Sequence, residues 1–286
     1  MIDNSPNIKL RGQPSKLRRF DYFESLSEFC EQAQANKTAH RGPGWAGGSF
    51  EQAVALANDG WQDTVSDINT KISDVSETLK FAPTVDVTGD VVDMDLFLTG
   101  EPECMISYPL QPREVASVSI MVPICYSSMV DAESAKKRAL AVAGAIEDFR
   151  FRGIMVTVYA YLCIAGKRDK LAVSLVKLAD SRYAFDQGRV TYGAGHPTML
   201  RQLMFAFEDG WNSEDHTTFD VRGGRGYPPY CLGRAEQEVA DWVYGTLDTE
   251  ITIDLPELEP IANNWSQSDH DDQISKILGD KTQHLA

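Results

Sequence analysis

The sequence SVSIMVPICYSSMVDAESAKKRALAVAGAIEDFRFRGIMVTVYAY, residues 117–161, alternates between apolar runs and an amphipathic segment. The first run, Val115 to Ile124, is rich in β-branched residues and is typical of a buried strand. Asp131 then caps a helix, and Gly153 introduces a second strand, Ile154 to Ile164. This order with short connections predicts a right-handed parallel βαβ unit. The apolar face of its helix consists of Ala135, Ala139, Val142, Ala143, Ile146 and Phe149.

The pattern continues toward the C-terminus. A further strand is predicted at Leu171 to Leu178, a helix from Pro197 through Phe207, and another helix at Ala235 to Tyr244. The acidic segment TEITIDLPELEP, residues 249–260, is strand-like. The predicted fold class is therefore α/β, with a central, partly parallel sheet flanked by helices, an N-terminal helical portion and a polar, acidic C-terminal tail.

Four parts are expected along the chain. Residues 1–19 are polar and basic and are predicted to form a flexible arm. Residues 20–110 are predicted to be mainly helical, with an acidic strand or loop, and residues 111–250 to form the α/β sheet domain. Residues 251–286 are predicted to form an acidic segment and a polar tail, and poor order is expected in the tail, from about Asn263. The predicted helices are Phe20 to Cys30, a helix opened by the Ser49 and Gln52 capping box and stopped at Gly60, a helix over residues 65–79, and a short helix at Ile274 to Leu278.

Charge is segregated along the chain. The formal net charge is −15, and residues 46–110 and 235–286 each hold 2 basic and 12 acidic residues. Residues 9–19, KLRGQPSKLRR, hold five cations and no acid, and residues 222–234, RGGRGYPPYCLGR, hold three arginines, two tyrosines and no acid. Such stretches can hold a polyanion on a protein that is anionic in total.

Cations beside aromatic rings are the composition of surfaces that bind single-stranded nucleic acid. The alternative interpretation is structural: a solvated terminus, and arginines paired with nearby acids such as Asp215 and Asp220. The residues predicted to contact phosphate are Lys16, Arg18, Arg19, Arg41, Arg222, Arg225 and Arg234, and those predicted to stack on bases are Trp45, Tyr227 and Tyr230.

Other classes of function find little support in the sequence. No Walker A or GxSxG motif occurs, the histidines are scattered, and the five cysteines form no CxxC pair, so we expect no enzyme, no cofactor and no metal site. The GxGxxG spacing of residues 42–47 follows no predicted strand, which argues against dinucleotide binding. The acids between Asp90 and Glu103 fit either a solvated loop or the Mg²⁺ site of a nuclease. No run is apolar enough to span a membrane, and a cytoplasmic protein is expected.

Two resemblances add to this interpretation. Residues 117–161 resemble the first strand, helix and second strand of a von Willebrand factor A type domain, whose Asp-x-Ser-x-Ser metal site corresponds here to Ile124, Tyr126 and Ser128, so two of the three ligands are missing. Residues 45–61, 93–105 and 195–205 are similar to an uncharacterised group of tailed-bacteriophage proteins. That resemblance implies a viral protein that works in the host bacterial cytoplasm.

The leading hypothesis is a bacteriophage accessory protein of transcription or replication that binds single-stranded nucleic acid, most simply single-stranded DNA. Its profile is similar to that of phage single-stranded DNA-binding cofactors of RNA polymerase. The acidic C-terminal block would recruit a phage RNA polymerase or replication protein, and a homo-oligomer would align several basic strips. The alternatives are a metal-free von Willebrand-like protein-interaction module and an Mg²⁺-dependent nuclease.

Overall fold

The computed structural model describes most of the chain, and all structural statements below concern the described residues. These are residues 12–37, 42–65, 84–87, 91–107, 117–124, 129–183, 186–220, 232, 235, 237–247, 249 and 251–282.

A five-stranded mixed sheet forms the centre of the fold, in the order β1-β7-β6-β5-β8. Strands β5 and β6 are parallel and are joined by the helix Ala132–Phe151, as the sequence predicted. Strand β8 extends the parallel part on the other side of β5, and β7 returns antiparallel to β6. The α/β fold class is thereby confirmed. The strands of this sheet are β1 (Leu17–Phe23), β5 (Ser117–Pro123), β6 (Met155–Ala165), β7 (Leu171–Ala179) and β8 (Ile251–Asp254).

The first strand corrects two expectations for the N-terminus. The sequence predicts a flexible arm through residue 19 and a helix from Phe20, but residues 17–23 form β1, which pairs in parallel with β7. The register shifts between Leu17 and Arg19, so Arg18 is displaced to the outside. The helix begins only at Leu26, where Ser25 accepts a hydrogen bond from the Glu28 amide. The hydrophobic pattern of residues 17–23 does not indicate a buried strand, because the strand contains charged residues.

Helices cover both faces of the sheet. On one face, α5 lies over β5 and β6, while the aromatic rings of Phe23, Phe29 and Phe207 meet edge to face between the sheet and the helices α1 and α7. On the other face, α9 and Leu232 cover the residues of β1, β6 and β7. The helices are α1 (Leu26–Asn36), α2 (Pro43–Ala46), α3 (Phe50–Asp59), α4 (Met94–Thr99), α5 (Ala132–Phe151), α6 (Gln187–Gly195), α7 (Phe205–Asp209), α8 (Ser213–Phe219), α9 (Gln237–Tyr244) and α10 (Gln267–Thr282).

Shorter elements connect these helices and strands. A π-helix leads from α6 into α7, so the helix predicted from Pro197 through Phe207 is present in two parts. The capping box of Ser49 and Gln52 opens α3 as predicted, and α3 ends at Gly60. The remaining elements are the 3₁₀ turns Gln62–Thr64, Lys167–Asp169 and Pro260–Asn264, the π-helix Met199–Met204, and the small sheet of β2 (Thr84–Asp86), β3 (Val91–Val92) and β4 (Met105–Ser107).

The C-terminal segment is more ordered than its composition predicted. Helix α10 spans 16 residues and packs on α5, where Ile274 and Leu278 join the core beside Val142 and Ile146. The expectation of poor order is therefore wrong for residues 267–273 and 279–282, while the predicted short helix at Ile274 to Leu278 is present as part of α10. Its low mean hydropathy is misleading because a few apolar residues four apart suffice to dock one face of a helix.

Three further expectations concern a predicted helix, the cysteines and a membrane span. The predicted helix over residues 65–79 lies outside the described residues apart from Val65. Among the described residues, Cys30, Cys104 and Cys163 form no disulfide with one another. A membrane span requires a long helix with very few charges, and none of the helices in the described ranges has that combination.

Candidate functional site

The end of the sheet at which β5 and β6 finish, called here the carboxyl end, is where the basic N-terminal segment enters the fold. Because β7 runs antiparallel to β6 and β1 parallel to β7, the first residue of β1 lies at this same end. The Leu171 amide donates to the Lys16 carbonyl at 2.8 Å. The basic N-terminal segment therefore enters the fold beside the turn between β6 and β7.

That turn, Gly166–Lys170 with the sequence GKRDK, is called here the basic hairpin. The Gly166 amide donates to the Lys170 carbonyl at 2.7 Å, and the Lys170 ammonium donates to the Ser15 carbonyl at 2.6 Å. Arg168 and Asp169 have φ angles of 57° and 56°, a left-handed conformation that costs about 1–2 kcal/mol per non-glycine residue. The fold tolerates this strain at the tip of an exposed cationic turn.

Two cations of the basic hairpin, Lys167 and Arg168, are available to a ligand. Lys167 and Arg168 are exposed, and neither side chain forms an ion pair or a hydrogen bond with any residue in the part of the chain that the structure describes. Asp169 is the one acid within the hairpin, against Lys167, Arg168 and Lys170. This turn therefore presents a surplus of positive charge next to Lys16.

Arg18 and Arg19 are placed differently from the sequence expectation. Arg19 is buried, and its guanidinium binds Asp21 at 2.7 Å and Asp215 at 3.0 Å. Arg18 reaches Glu214 at 2.7 Å and Asp215 at 3.3 Å. Both charges are already compensated by carboxylates, so in this arrangement they brace β1 against α8 rather than face a phosphate.

The pKa of the buried carboxylate in this network, Asp21, is raised. Asp21 is fully buried and accepts hydrogen bonds from Arg19 and from Ser174. Desolvation raises the pKa of Asp21 to about 6, although the Arg19 charge opposes that change. Asp215 of α8 is itself buried and shields this network from solvent. We therefore attribute the raised pKa of Asp21 to burial within a structural ion pair.

The arginine- and tyrosine-rich segment, residues 222–234, lies outside the described residues except for Leu232. The predicted contacts in it are Arg222, Arg225, Tyr227, Tyr230 and Arg234. Its two flanks are described. Phe219 and Thr218 of α8 lie against Gly166 of the basic hairpin, within 3 Å of where a Gly166 Cβ would stand. Leu232 is buried, and its amide donates to the Tyr161 hydroxyl at 3.2 Å in the carboxyl half of β6. The chain therefore leaves from and returns to the carboxyl end of the sheet.

Arg41 also lies outside the described residues, and of Trp45 only the backbone is described, within α2. The glycine that ends α2, Gly47, is in close contact with Pro197. Pro197 follows Gly195, which touches Ala135 in the first turn of α5, just beyond the end of β5. The backbone around Trp45 is thus anchored near the carboxyl end of the sheet, the end at which the basic hairpin lies.

The alternative metal sites find no support in the described residues. Within the described ranges no three His, Cys, Asp or Glu residues are grouped closely enough to hold a metal ion. Asp93 lies between β3 and α4, and its carboxylate accepts a hydrogen bond from the Leu96 amide at 3.2 Å in the first turn of that helix. Of the positions that correspond to the von Willebrand metal motif, Ile124 is buried and apolar, while Tyr126 and Ser128 lie outside the described residues.

The basic hairpin was not among the predicted contact residues. A signal was available in the sequence, since KRDK interrupts two apolar, β-branched runs and three of its four residues are cationic. The predicted strands on either side identified the turn, but only the sheet order shows that it lies next to Lys16.

The fold and this site define an α/β protein with a mixed five-stranded sheet and a cationic turn at the carboxyl end of its parallel strands. The family model of a domain of unknown function (DUF7192) matches residues 13–281, and the chain belongs to this family. No curated protein and no solved structure matched the chain.

Proposed function

We propose that this protein binds single-stranded nucleic acid, most simply single-stranded DNA, along the carboxyl end of its sheet. The carrying observation is that Lys167 and Arg168 are exposed and uncompensated within the described chain, directly beside Lys16. A cationic track that follows the backbone, with aromatic side chains for the bases, is the usual design of such surfaces.

The predicted contact segments support one shared surface. The N-terminal basic stretch enters beside the basic hairpin, and the segment with Arg222, Arg225, Tyr227 and Tyr230 is flanked by Phe219 and Leu232 at the same end. In this proposal Lys16, Lys167, Arg168 and Lys170 neutralise phosphates, and the tyrosines stack on bases. Arg18 and Arg19 hold β1 in place and do not touch the strand.

The anionic remainder of the molecule fits a second role in the same proposal. Residues 235–286 hold 12 acids, and of these Glu259, Asp269 and Asp272 are exposed on the segment that ends in α10. Acidic surfaces repel nucleic acid and attract basic protein partners. The partner we propose is a phage RNA polymerase or replication protein in a bacterial cytoplasm, and self-association of the chain would lengthen the basic track.

The test is fluorescence anisotropy of a labelled oligonucleotide over a salt series. We expect single strands to bind more tightly than duplexes, with affinity falling steeply as salt increases. Lys167→Glu with Arg168→Glu should weaken binding at least tenfold and flatten the salt dependence, because two phosphate contacts are lost. Lys276→Glu, an exposed charge reversal on α10, is the matched control and should bind like the wild type.

Two results would overturn the proposal. One is the absence of oligonucleotide binding at low salt. The other is binding that is equally strong in the hairpin variant and in the Lys276→Glu control, which would place the nucleic acid elsewhere.

A second candidate, a protein-interaction module, is favoured by one surface. A cavity of 320 Å³ lies among Leu258, Ile261 and Trp265, with Glu257 and Glu259 in its lining. Ile261 is 64% exposed, so an apolar surface with an acidic border is open to solvent there. This combination suits a basic, partly apolar segment of another protein. The discriminating experiment is a pull-down that survives nuclease treatment in the wild type and is lost in Ile261→Asp.

A further inference from the structure

The short helix α4 carries apolar side chains on its outside. Met94, Phe97 and Leu98 are 59%, 58% and 74% exposed. Because their spacing is i, i+3 and i+4, these three residues share one face of the helix. In most surface helices the apolar face packs on the core of the protein. Helix α4 instead presents that face to solvent.

Exposed apolar residues are concentrated around this helix. Of the nine large apolar side chains that are exposed within the described ranges, five lie in the segment from residue 87 to residue 98. Two of them belong to the small sheet region, where one follows β2 and the other ends β3. Clusters of exposed apolar side chains are typical of surfaces that contact a protein or a membrane. The five residues, called here the α4 patch, are Val87, Val92, Met94, Phe97 and Leu98.

Both ends of α4 are capped by hydrogen bonds. At its start, the Asp93 carboxylate accepts a hydrogen bond from the Leu96 amide. At its end, the Gly100 amide donates to the Phe97 carbonyl at 3.1 Å. The Glu101 amide donates to the Leu96 carbonyl, also at 3.1 Å, which completes a Schellman motif. Gly100 has a φ of 80°, the left-handed conformation that this motif requires.

A further hydrogen bond fixes α4 to the small sheet. The Asp93 amide donates to the Cys104 carbonyl at 2.7 Å, which joins the end of β3 to the segment that leads into β4. A helix of six residues is not stable in water by itself, but α4 is held by its two caps and by this bond. A partner would therefore bind a helix that is already formed, which reduces the entropic cost of association.

The segment that carries the α4 patch is strongly acidic. Between Lys80 and Arg113 the sequence has six acidic residues and no basic residue. Glu101 and Glu103 are exposed just beyond the end of α4. Acidic surfaces repel nucleic acid and anionic lipid, and they attract the lysines and arginines of another protein. Charge complementarity therefore selects a basic protein segment as the partner of this apolar surface.

We propose that the α4 patch binds a basic, amphipathic segment of a partner protein. Apolar side chains of that segment pack on Met94, Phe97 and Leu98, which act as i, i+3 and i+4 anchors. Its lysines or arginines pair with Glu101 and Glu103. This surface uses neither the basic hairpin nor the C-terminal segment, so the inference does not depend on nucleic-acid binding.

The test measures how the full chain binds a labelled synthetic helix of 18 residues, with leucines on one face and lysines on the other, by fluorescence anisotropy. Phe97→Ser with Leu98→Ser should weaken binding at least tenfold, because two apolar anchors are lost. Since this change leaves the net charge of −15 unaltered, it separates docking from general attraction between the protein and a cationic peptide. Tyr183→Ser removes an exposed ring on the turn after β7 and is the matched control, which should bind like the wild type.

The charged part of the surface is tested with a second variant. Glu101→Gln with Glu103→Gln should weaken peptide binding about fivefold and reduce its dependence on salt, because two exposed ion pairs are lost. Circular dichroism and thermal unfolding check that each variant is folded, which we expect because the altered side chains are exposed.

Several outcomes would contradict this assignment. Absence of peptide binding at low salt is one, and equal binding by the wild type and the folded Phe97→Ser, Leu98→Ser variant is another. Loss of binding in Ile261→Asp alone would place the basic segment at the cavity beside Ile261 instead. If sedimentation velocity shows that the wild type self-associates and that the double variant does not, the occupant is a second copy of this chain rather than a basic partner.

Discussion

The guanidinium carbon of Arg19 lies 4.6 Å from the centroid of the Trp211 indole ring. Its nitrogens bind Asp21 and Asp215, so this buried cation is held by two carboxylates and one aromatic face. The contact joins the edge strand β1 to the turn before α8, which in turn carries Phe219 to the basic hairpin. An arginine that the sequence associates with phosphate is thus a structural bridge under the proposed binding surface.

Removal of one carboxylate of this bridge should destabilise the fold. Asp215→Ala leaves the buried Arg19 charge partly uncompensated, and we expect a loss of about 3–5 kcal/mol in the free energy of unfolding. Urea denaturation monitored by circular dichroism measures it. Glu214→Ala, which removes the exposed neighbour that pairs with Arg18, should cost at most about 1 kcal/mol. Equal losses in the two variants would contradict the structural role of Asp215.

The close approach of α6 to α5 gives a second prediction. A Cβ on Gly195 would stand 2.5 Å from the Ala135 carbonyl oxygen and 2.6 Å from the Ala139 Cβ. Gly195→Ala should therefore lower stability by about 1–3 kcal/mol, since the two helices must separate. Gly279→Ala on α10 meets no atom within 4 Å and should raise stability by up to about 1 kcal/mol. Thermal unfolding of both variants would show opposite signs, and a stabilised Gly195→Ala would refute the contact.

His196 makes a contribution to the stability of the protein that should be lost in mild acid. Burial lowers its pKa to about 4, while the unfolded imidazole has a pKa near 6.5. As the pH falls, the unfolded state takes up the proton first, so the contribution of His196 is complete above pH 6.5 and is lost toward pH 4. The difference between these two pKa values corresponds to about 3 kcal/mol of the free energy of unfolding.

The variant His196→Gln tests this contribution. Urea unfolding of the wild type and the variant between pH 4 and 8 should show a smaller loss of stability for His196→Gln below pH 6.5, and parallel behaviour above it. Identical slopes below pH 6.5 would show that the edge-to-face contact with Trp61, at 4.6 Å, does not keep the imidazole neutral.

The docking of α10 on α5 can be tested with one apolar residue. Ile274 is buried in the core shared with α5, and Ile274→Ala should cost about 2–5 kcal/mol and expose the C-terminal segment to limited proteolysis. Lys276→Ala, exposed on the same helix, should change stability by no more than about 0.5 kcal/mol. Unchanged proteolysis of Ile274→Ala would contradict the docked helix.

Local patterns explain which elements the sequence predicted correctly. The βαβ unit of residues 117–161 follows from β-branched runs around a 3.6-residue periodicity, and α3 follows from the Ser49 and Gln52 capping box. Helix α6 gave no such signal, because its sequence QGRVTYGAG contains three glycines, which are poor helix formers. Those glycines are explained by close neighbours in space, namely Gly60, Leu178 and Ala135.

Composition and periodicity were enough to establish the α/β class, the central parallel unit and the positions of most charges, because these depend on residues close together in the chain. They could not show which charges face solvent. Arg19 and Asp215 are 196 residues apart and meet inside the protein, whereas Lys167 and Arg168, beside Lys16, form no ion pair with any carboxylate of the described ranges. Strand order and packing make that distinction, since a cation is available to a ligand only where folding brings no carboxylate to it.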